Sequence, residues 1–156
     1  MPTYNAEKFL DHVLNSILQQ SYTNFECLVV NDCSTDSSAK IAQGYSNKDK
    51  RFHLVNHKAN GGLAAARNTG IRLAKGGLIC FLDSDDFFLV DSLKNRLNAI
   101  KAFEFPEVVG SYGGSISVQE NDFLIPPPQK TNQTKIVDFI SAGGNCPFNA
   151  NQPMLK

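Results

Sequence analysis

The stretch Leu78-Ile79-Cys80-Phe81-Leu82-Asp83-Ser84-Asp85-Asp86 constrains this chain more than any other. Its five apolar residues, preceded by Gly76-Gly77, are too few for a helix and predict a fully buried strand. Three carboxylates follow at once. Burying an unpaired carboxylate is costly and adjacent carboxylates repel, so a cation is expected to offset them. A hard divalent ion such as Mg2+ or Mn2+ takes carboxylate oxygens and keeps positions open for phosphate. The competing reading is a solvated acidic turn that caps the next helix, and the stretch alone does not decide between them.

The remaining 147 of 156 residues decide what such a strand end can belong to. That length suits one domain, able to bury about 68–70% of its unfolded surface. Fifteen basic residues balance fifteen acidic ones, so no broad field attracts nucleic acid or an anionic membrane, and any bound anion must be held locally. Cys27, Cys33, Cys80 and Cys146 lack C-x-x-C spacing. Cys27 and Cys80 sit in apolar runs and read as small buried hydrophobes, which fits reduced thiols and a cytoplasmic setting. No apolar run reaches the ~18–20 residues of a membrane span, and no leader-like segment precedes the first motif. Membrane association through regions outside this sequence stays open.

Along the chain, Pro2 to Asn5 reads as a turn with Asn5 as the N-cap of a helix from Ala6 to Gln20. Phe9, Leu10, Val13, Leu14, Ile17 and Leu18 recur there at helical spacing. Cys27 to Val30 predicts a strand covered on both faces, and Asp36 or Ser37 can cap a helix from Ser38 to Tyr45. Phe52 to Val55 is a third strand candidate. Asn60-Gly61-Gly62 then opens an Ala-rich helix over Leu63 to Lys75, closed by Gly76. Asp91-Ser92 caps a last amphipathic helix carrying Leu93, Leu97, Ile100 and Phe103 on one side. Strands alternating with helices predict an α/β fold with a mostly parallel sheet and helices on both faces. Residues 1–104 are expected to form a ligand-binding domain, with 105–156 as an appended part of the same domain.

In an open parallel sheet, ligands sit beyond the carboxyl ends of the strands, so Asp32 and the Asp83 to Asp86 cluster should line one crevice. Asn60-Gly61-Gly62 allows close backbone approach, and the helix start after it is expected to offer free N–H groups to a phosphate. Arg67 could add a charge-assisted hydrogen bond, or be an ordinary surface arginine. His57 reads as a loop histidine more readily than as a ligand. Phe87-Phe88 reads as core, not as a substrate platform.

Four segments carry a resemblance: Pro2-Thr3-Tyr4-Asn5, Val30-Asn31-Asp32-Cys33-Ser34-Thr35-Asp36, Asn60-Gly61-Gly62-Leu63-Ala64-Ala65-Ala66-Arg67-Asn68-Thr69-Gly70 and Asp83-Ser84-Asp85-Asp86. In this order they resemble the motif set of family 2 glycosyltransferases with the Rossmann-like GT-A fold. The resemblance implies an inverting transfer of a sugar from a nucleotide diphosphate donor, most often a UDP-sugar, with Mn2+ or Mg2+. It implies that Thr3, Tyr4 and Asp32 hold base and ribose, that Arg67 contacts the nucleotide, that Asp83 faces the ribose, and that Asp85 faces the metal. The acceptor, whether saccharide, lipid or protein, is not implied by any segment.

Two departures bear on activity. The apolar strand that precedes the P-T-Y-N turn in the family is absent, and the chain stops after Asn145 to Leu155, ahead of the family's acidic base motif, so the domain is expected to be incomplete at both ends. No general base is assigned; Asp122 and Asp138 do not match its motif. Two alternatives remain: a catalytically inactive nucleotide-sugar-binding module, and a phosphohydrolase of the haloacid dehalogenase type. The latter wants Thr or Val where Phe87 stands. A dinucleotide fold would need G-x-G-x-x-G, which Asn60-Gly61-Gly62 does not supply.

Overall fold

The structure is a computed structural model and describes residues 1–101. Met1–Lys94 forms one compact unit, and Asn95 opens a second. The expectations placed on Phe103, Val108 to Val118, Asp122, Asp138 and Ile136 to Ile140, and the 105–156 region itself, lie outside the described residues.

Three strands and four helices alternate: β1 (Pro2–Thr3), α1 (Glu7–Leu18), β2 (Cys27–Asn31), α2 (Ser38–Lys48), β3 (Phe52–Asn56), α3 (Gly62–Leu73) and α4 (Ser92–Lys101). The sheet order is β1-β2-β3, and both pairings are parallel. Val30 lies opposite Pro2 on one side and Val55 on the other, which makes β2 the central strand of the three.

Successive side chains of β2 leave opposite faces of the sheet. Cys27 and Val29 join Leu10, Val13, Leu14 and Ile17 of α1, Ala42 of α2 and Phe52 of β3 in one core cluster. Val30 faces the other way, toward α3, where a methyl group on Gly70 would sit 3.8 Å from its Cγ2. Both faces of β2 are therefore covered, which explains why its sequence is continuously apolar. In α1 the flanking residues Phe9 and Leu18 stay exposed while the central stripe is buried.

Helix starts differ from expectation. Asn5 does not cap α1, because it takes a left-handed conformation (φ 48°) and its Oδ1 accepts the Thr35 N–H instead. The amides at the start of α1 are met from across the β2–α2 loop: Ala6 N donates to Ser38 Oγ and Glu7 N to Asp36 Oδ2. Asp36 Oδ1 accepts from Ser38 N, so one carboxylate serves the N-termini of two helices. Burial works against ionisation of Asp36, but bonds from the Ser38 side chain, Ser38 N and Glu7 N prevail and hold it below the usual carboxylate range. At the C-terminus of α3 the C-cap is Ala74, not Gly76, and Glu26 Oε1 takes the following amides of Lys75 and Gly76.

The largest correction concerns Leu78 to Leu82. The segment follows β3 and α3 as expected, yet it joins no strand ladder among the described residues. Leu78 is 54% and Ile79 44% exposed, Cys80 is exposed as well, and only Leu82 is buried. A strand becomes buried through its neighbours, and β1, at one edge of the three-stranded sheet, spans just two residues. Cys27, by contrast, is the small buried hydrophobe expected; burial pushes its thiol up to about 11.

Candidate functional site

Beyond the carboxyl ends of β1 and β2 lies an open cavity of about 400 Å3, lined by Pro2, Thr3 and Tyr4, by Asp32, by Asn60, Gly62, Leu63 and Ala66, and by Asp83, Ser84 and Asp85. All four motif segments meet there. The crevice expected from parallel topology is thus present, although the segment that brings Asp83 and Asp85 to it is not a ladder strand.

Asp32 is 3% exposed and held on every side. Its N–H donates to Thr3 O at 2.8 Å, extending the β1–β2 pairing by one residue. Its Oδ1 accepts from Gly61 N at 2.9 Å and pairs with His57 Nδ1 at 2.6 Å, while its Oδ2 accepts from Gly62 N at 2.7 Å and a longer branch from Gly61 N at 3.2 Å. Burial raises the cost of the charge. The bonds from Gly61, His57 and Gly62 more than offset it and hold the carboxyl below its ordinary range.

These contacts correct the expected phosphate cradle. Two of the amides that open α3 are taken and not free for a phosphate: Gly61 N and Gly62 N both donate to Asp32. A buried carboxylate needs donors, and the start of α3 supplies the nearest ones. Two glycines make the approach possible. Gly62 adopts φ +81°, and a Cβ on Gly61 would lie 2.9 Å from that of Ala65.

Thr3 is buried, and its Oγ1 has no hydrogen-bond partner among the described residues, although it borders the cavity. Tyr4 lines the same cavity and is 51% exposed.

Arg67 is not among the lining residues. Its Nη2 donates to Asp83 Oδ1 at 2.8 Å, with the Arg67 side chain 10% exposed and that of Asp83 36%. Arg67 is therefore the cation that the acid cluster called for, but it reaches one carboxylate of three. Burial, and then the charges of Asp85 and Asp83, push the Asp86 carboxyl above its usual range. No three ligating side chains converge on a metal position among the described residues. Asp85 is exposed at the cavity edge.

Sequence reasoning missed the part played by His57. It follows β3, which is in register with β2, so its ring is carried beside Asp32 by strand pairing. Nothing local in the sequence marks that contact, because the partners are 25 residues apart. Phe88 packs on the core, and Phe87 meets the edge of the exposed His12 ring.

The sequence model for glycosyl transferase family 2 matches residues 1–151. The chain belongs to that family, and the phosphohydrolase alternative is set aside. An uncharacterized glycosyltransferase of Haemophilus influenzae is 48% identical over 98 residues, covering 63% of this chain and 39% of the relative. The crystal structure of Staphylococcus aureus TarS 1–349 in complex with UDP-GlcNAc superposes with a TM-score of 0.61 at 36% identity, over 65% of this chain and 30% of that one. A mannosyltransferase from Pyrobaculum calidifontis, in complex with GDP-Man and Mn2+, gives 0.60 at 29% identity, over 69% of this chain and 32% of that one. The chain thus spans well under half the length of these relatives. The fold is the α/β, parallel-sheet GT-A type, and no helix among the described residues is long and apolar enough to cross a membrane.

Proposed function

We propose that the Met1–Lys94 unit is the donor-binding part of a glycosyltransferase that uses a nucleotide diphosphate sugar, a UDP-sugar in the first instance. The observation that carries this reading is the convergence of Thr3, Tyr4, Asp32, Asp83 and Asp85 on one cavity. The solved relative with UDP-GlcNAc supports the choice of uridine.

Each residue has a task suited to its setting. Tyr4 offers a stacking face to the base, and the Thr3 hydroxyl offers a buried polar atom that a ligand would satisfy. Two carboxylate oxygens provide about four lone-pair directions. His57, Gly61 and Gly62 account for three on Asp32, and the longer Gly61 branch leaves Oδ2 able to accept one N–H of a base. Asp83 is oriented by Arg67 toward a ribose hydroxyl, so Arg67 serves the nucleotide through Asp83.

A divalent metal fits as a guest of the complex. Asp85 is a hard, exposed oxygen donor beside two further carboxylates, Asp83 and Asp86, the latter raised by burial and by the charges of its neighbours, and the diphosphate would supply the remaining ligands. When bound, such an ion stabilises negative charge on the departing diphosphate. Mn2+ in the mannosyltransferase complex favours it as the first ion to test. Transfer is proposed to proceed with inversion onto an acceptor hydroxyl. Asp32 and Asp83 are already engaged by their own partners and are not its general base.

Calorimetry of the 156-residue chain with UDP, in the presence and absence of Mn2+, tests this. Saturable binding that Mn2+ strengthens by about tenfold or more is expected. A folded sample, by circular dichroism, that binds UDP under neither condition refutes the donor site. Binding of UDP without release of UDP from any UDP-sugar identifies a binding module instead of a transferase.

A further inference from the structure

His57 stands at the centre of a directed hydrogen-bond chain. Its Nδ1 is 2.6 Å from Asp32 Oδ1 and its Nε2 is 2.9 Å from Thr69 Oγ1, which in turn lies 2.9 Å from Arg72 Nη2. Two of the three bond directions follow from the chemistry of the groups. An arginine only donates, so Thr69 Oγ1 accepts from Arg72 with one of its two lone pairs, and its hydroxyl proton is available to His57 Nε2. An ionised carboxylate only accepts, so His57 Nδ1 carries a proton. Every donor and acceptor in the chain is used when the imidazole is neutral and protonated on Nδ1.

We propose that His57, fixed by Thr69 as the neutral Nδ1–H tautomer, is a positioning residue that sets the rotation of the Asp32 carboxylate and so turns one Oδ2 lone pair toward the cavity. Two features make the orientation depend on His57. Gly61 N reaches both oxygens, at 2.9 and 3.2 Å, and Gly62 N holds Oδ2 at 2.7 Å; the 2.6 Å bond from His57 Nδ1 adds a side-chain donor that fills Oδ1 and so leaves the remaining lone pair on Oδ2. The ring is itself anchored at both nitrogens, to loop-borne Asp32 on one side and to helix α3 on the other, with its side chain 18% exposed. His57 also ties β3 to the sheet at this end through its own N–H, which donates to Asn31 O at 2.9 Å. That the cavity-facing lone pair receives a donor of the nucleotide base rests on the proposed donor site; the tautomer and the carboxylate rotation do not.

Two variants separate the role of each nitrogen. Asparagine places an N–H near the position of Nδ1, and glutamine places one near Nε2. His57→Asn is expected to keep UDP affinity within about threefold, because the bond to Asp32 survives, and His57→Gln to lose about tenfold, because it does not. Equal affinities of the two variants, with both folded by circular dichroism, would overturn the proposal. The second readout needs no ligand: a long-range 1H–15N spectrum of the 156-residue chain should show His57 with a protonated Nδ1 and an unprotonated Nε2, and Thr69→Val should mix the tautomers. The opposite tautomer, or a spectrum unmoved by Thr69→Val, also overturns it. If the wild-type chain binds no UDP but shows the Nδ1–H tautomer, the donor site fails while the positioning chain stands.

Discussion

The two acidic walls of the cavity handle negative charge in opposite ways. On the β2 side, Asp32 is buried, its backbone is paired with β1, and its carboxylate collects donors from His57, Gly61 and Gly62. On the other side, Asp83 to Asp86 sit in an irregular segment whose backbone, among the described residues, closes a single 3.3 Å turn bond from Asp86 N to Asp83 O. Among the described residues one arginine answers three carboxylates there, and burial, with the charges of Asp85 and Asp83, raises the Asp86 carboxyl. The first wall is a preorganised acceptor. The second is poised for a cation that arrives with its ligand.

Removing the charge on the preorganised wall is expected to have the largest effect. Asp32→Asn replaces an acceptor with an amide N–H that faces either two backbone donors or His57, so a loss of about 2–4 kcal/mol in urea-measured stability is expected, with UDP binding abolished. The same contrast appears in pH. Asp32 and Asp36 have lowered carboxyls, so their stabilisation is fully present above the unfolded value of about 3.9 and disappears as pH falls through their folded values. Urea midpoints should therefore fall below about pH 4, and less steeply in Asp32→Asn. A variant with unchanged stability would remove the distinction between the two walls.

On the second wall the effect should move from folding to binding. Asp85→Asn is expected to leave the urea midpoint unchanged and to cost about tenfold or more in the Mn2+-dependent part of UDP affinity, with uridine binding unaffected in calorimetry. Equal loss with and without the metal would contradict the assignment. The smallest effect is expected at Asp86, whose raised carboxyl means that its charge opposes folding above its folded value and ceases to do so as pH falls through it. Asp86→Asn should raise stability at pH 7 by under about 0.5 kcal/mol, a gain that shrinks with added salt.

Much of this organisation was readable from spacing. Leu10, Val13, Leu14 and Ile17 announce α1 because only a 3.6-residue period puts them on one side, and Cys27 to Val30 announce β2 because both its faces are covered. The meeting of Thr3, Asp32, Asn60 and Asp85 followed from parallel topology. Other readings failed for identifiable reasons. Leu78 to Leu82 has strand composition, but an apolar run acquires strand pairing only from a neighbour with backbone to offer. Asn5 and Gly76 are good capping residues by type, yet Asp36, Ser38 and Glu26 take the amides at those helix ends from 29 to 50 residues away, and no local rule sees them.

The sequence by itself determined the alternation of strands and helices from α1 to α3, the faces that α1 and β2 bury, and the family to which its four motifs point, because these depend on periods and on short ordered strings of residues. Only the tertiary structure decided how Asp32 is held. The glycines that were expected to meet a phosphate meet that carboxylate, and the histidine read as an ordinary loop residue completes its coordination by donors. The reason is energetic: a buried charge must be satisfied by whichever donors the fold brings within ~3 Å, and which ones those are is fixed by strand register and helix placement, not by neighbours in the chain.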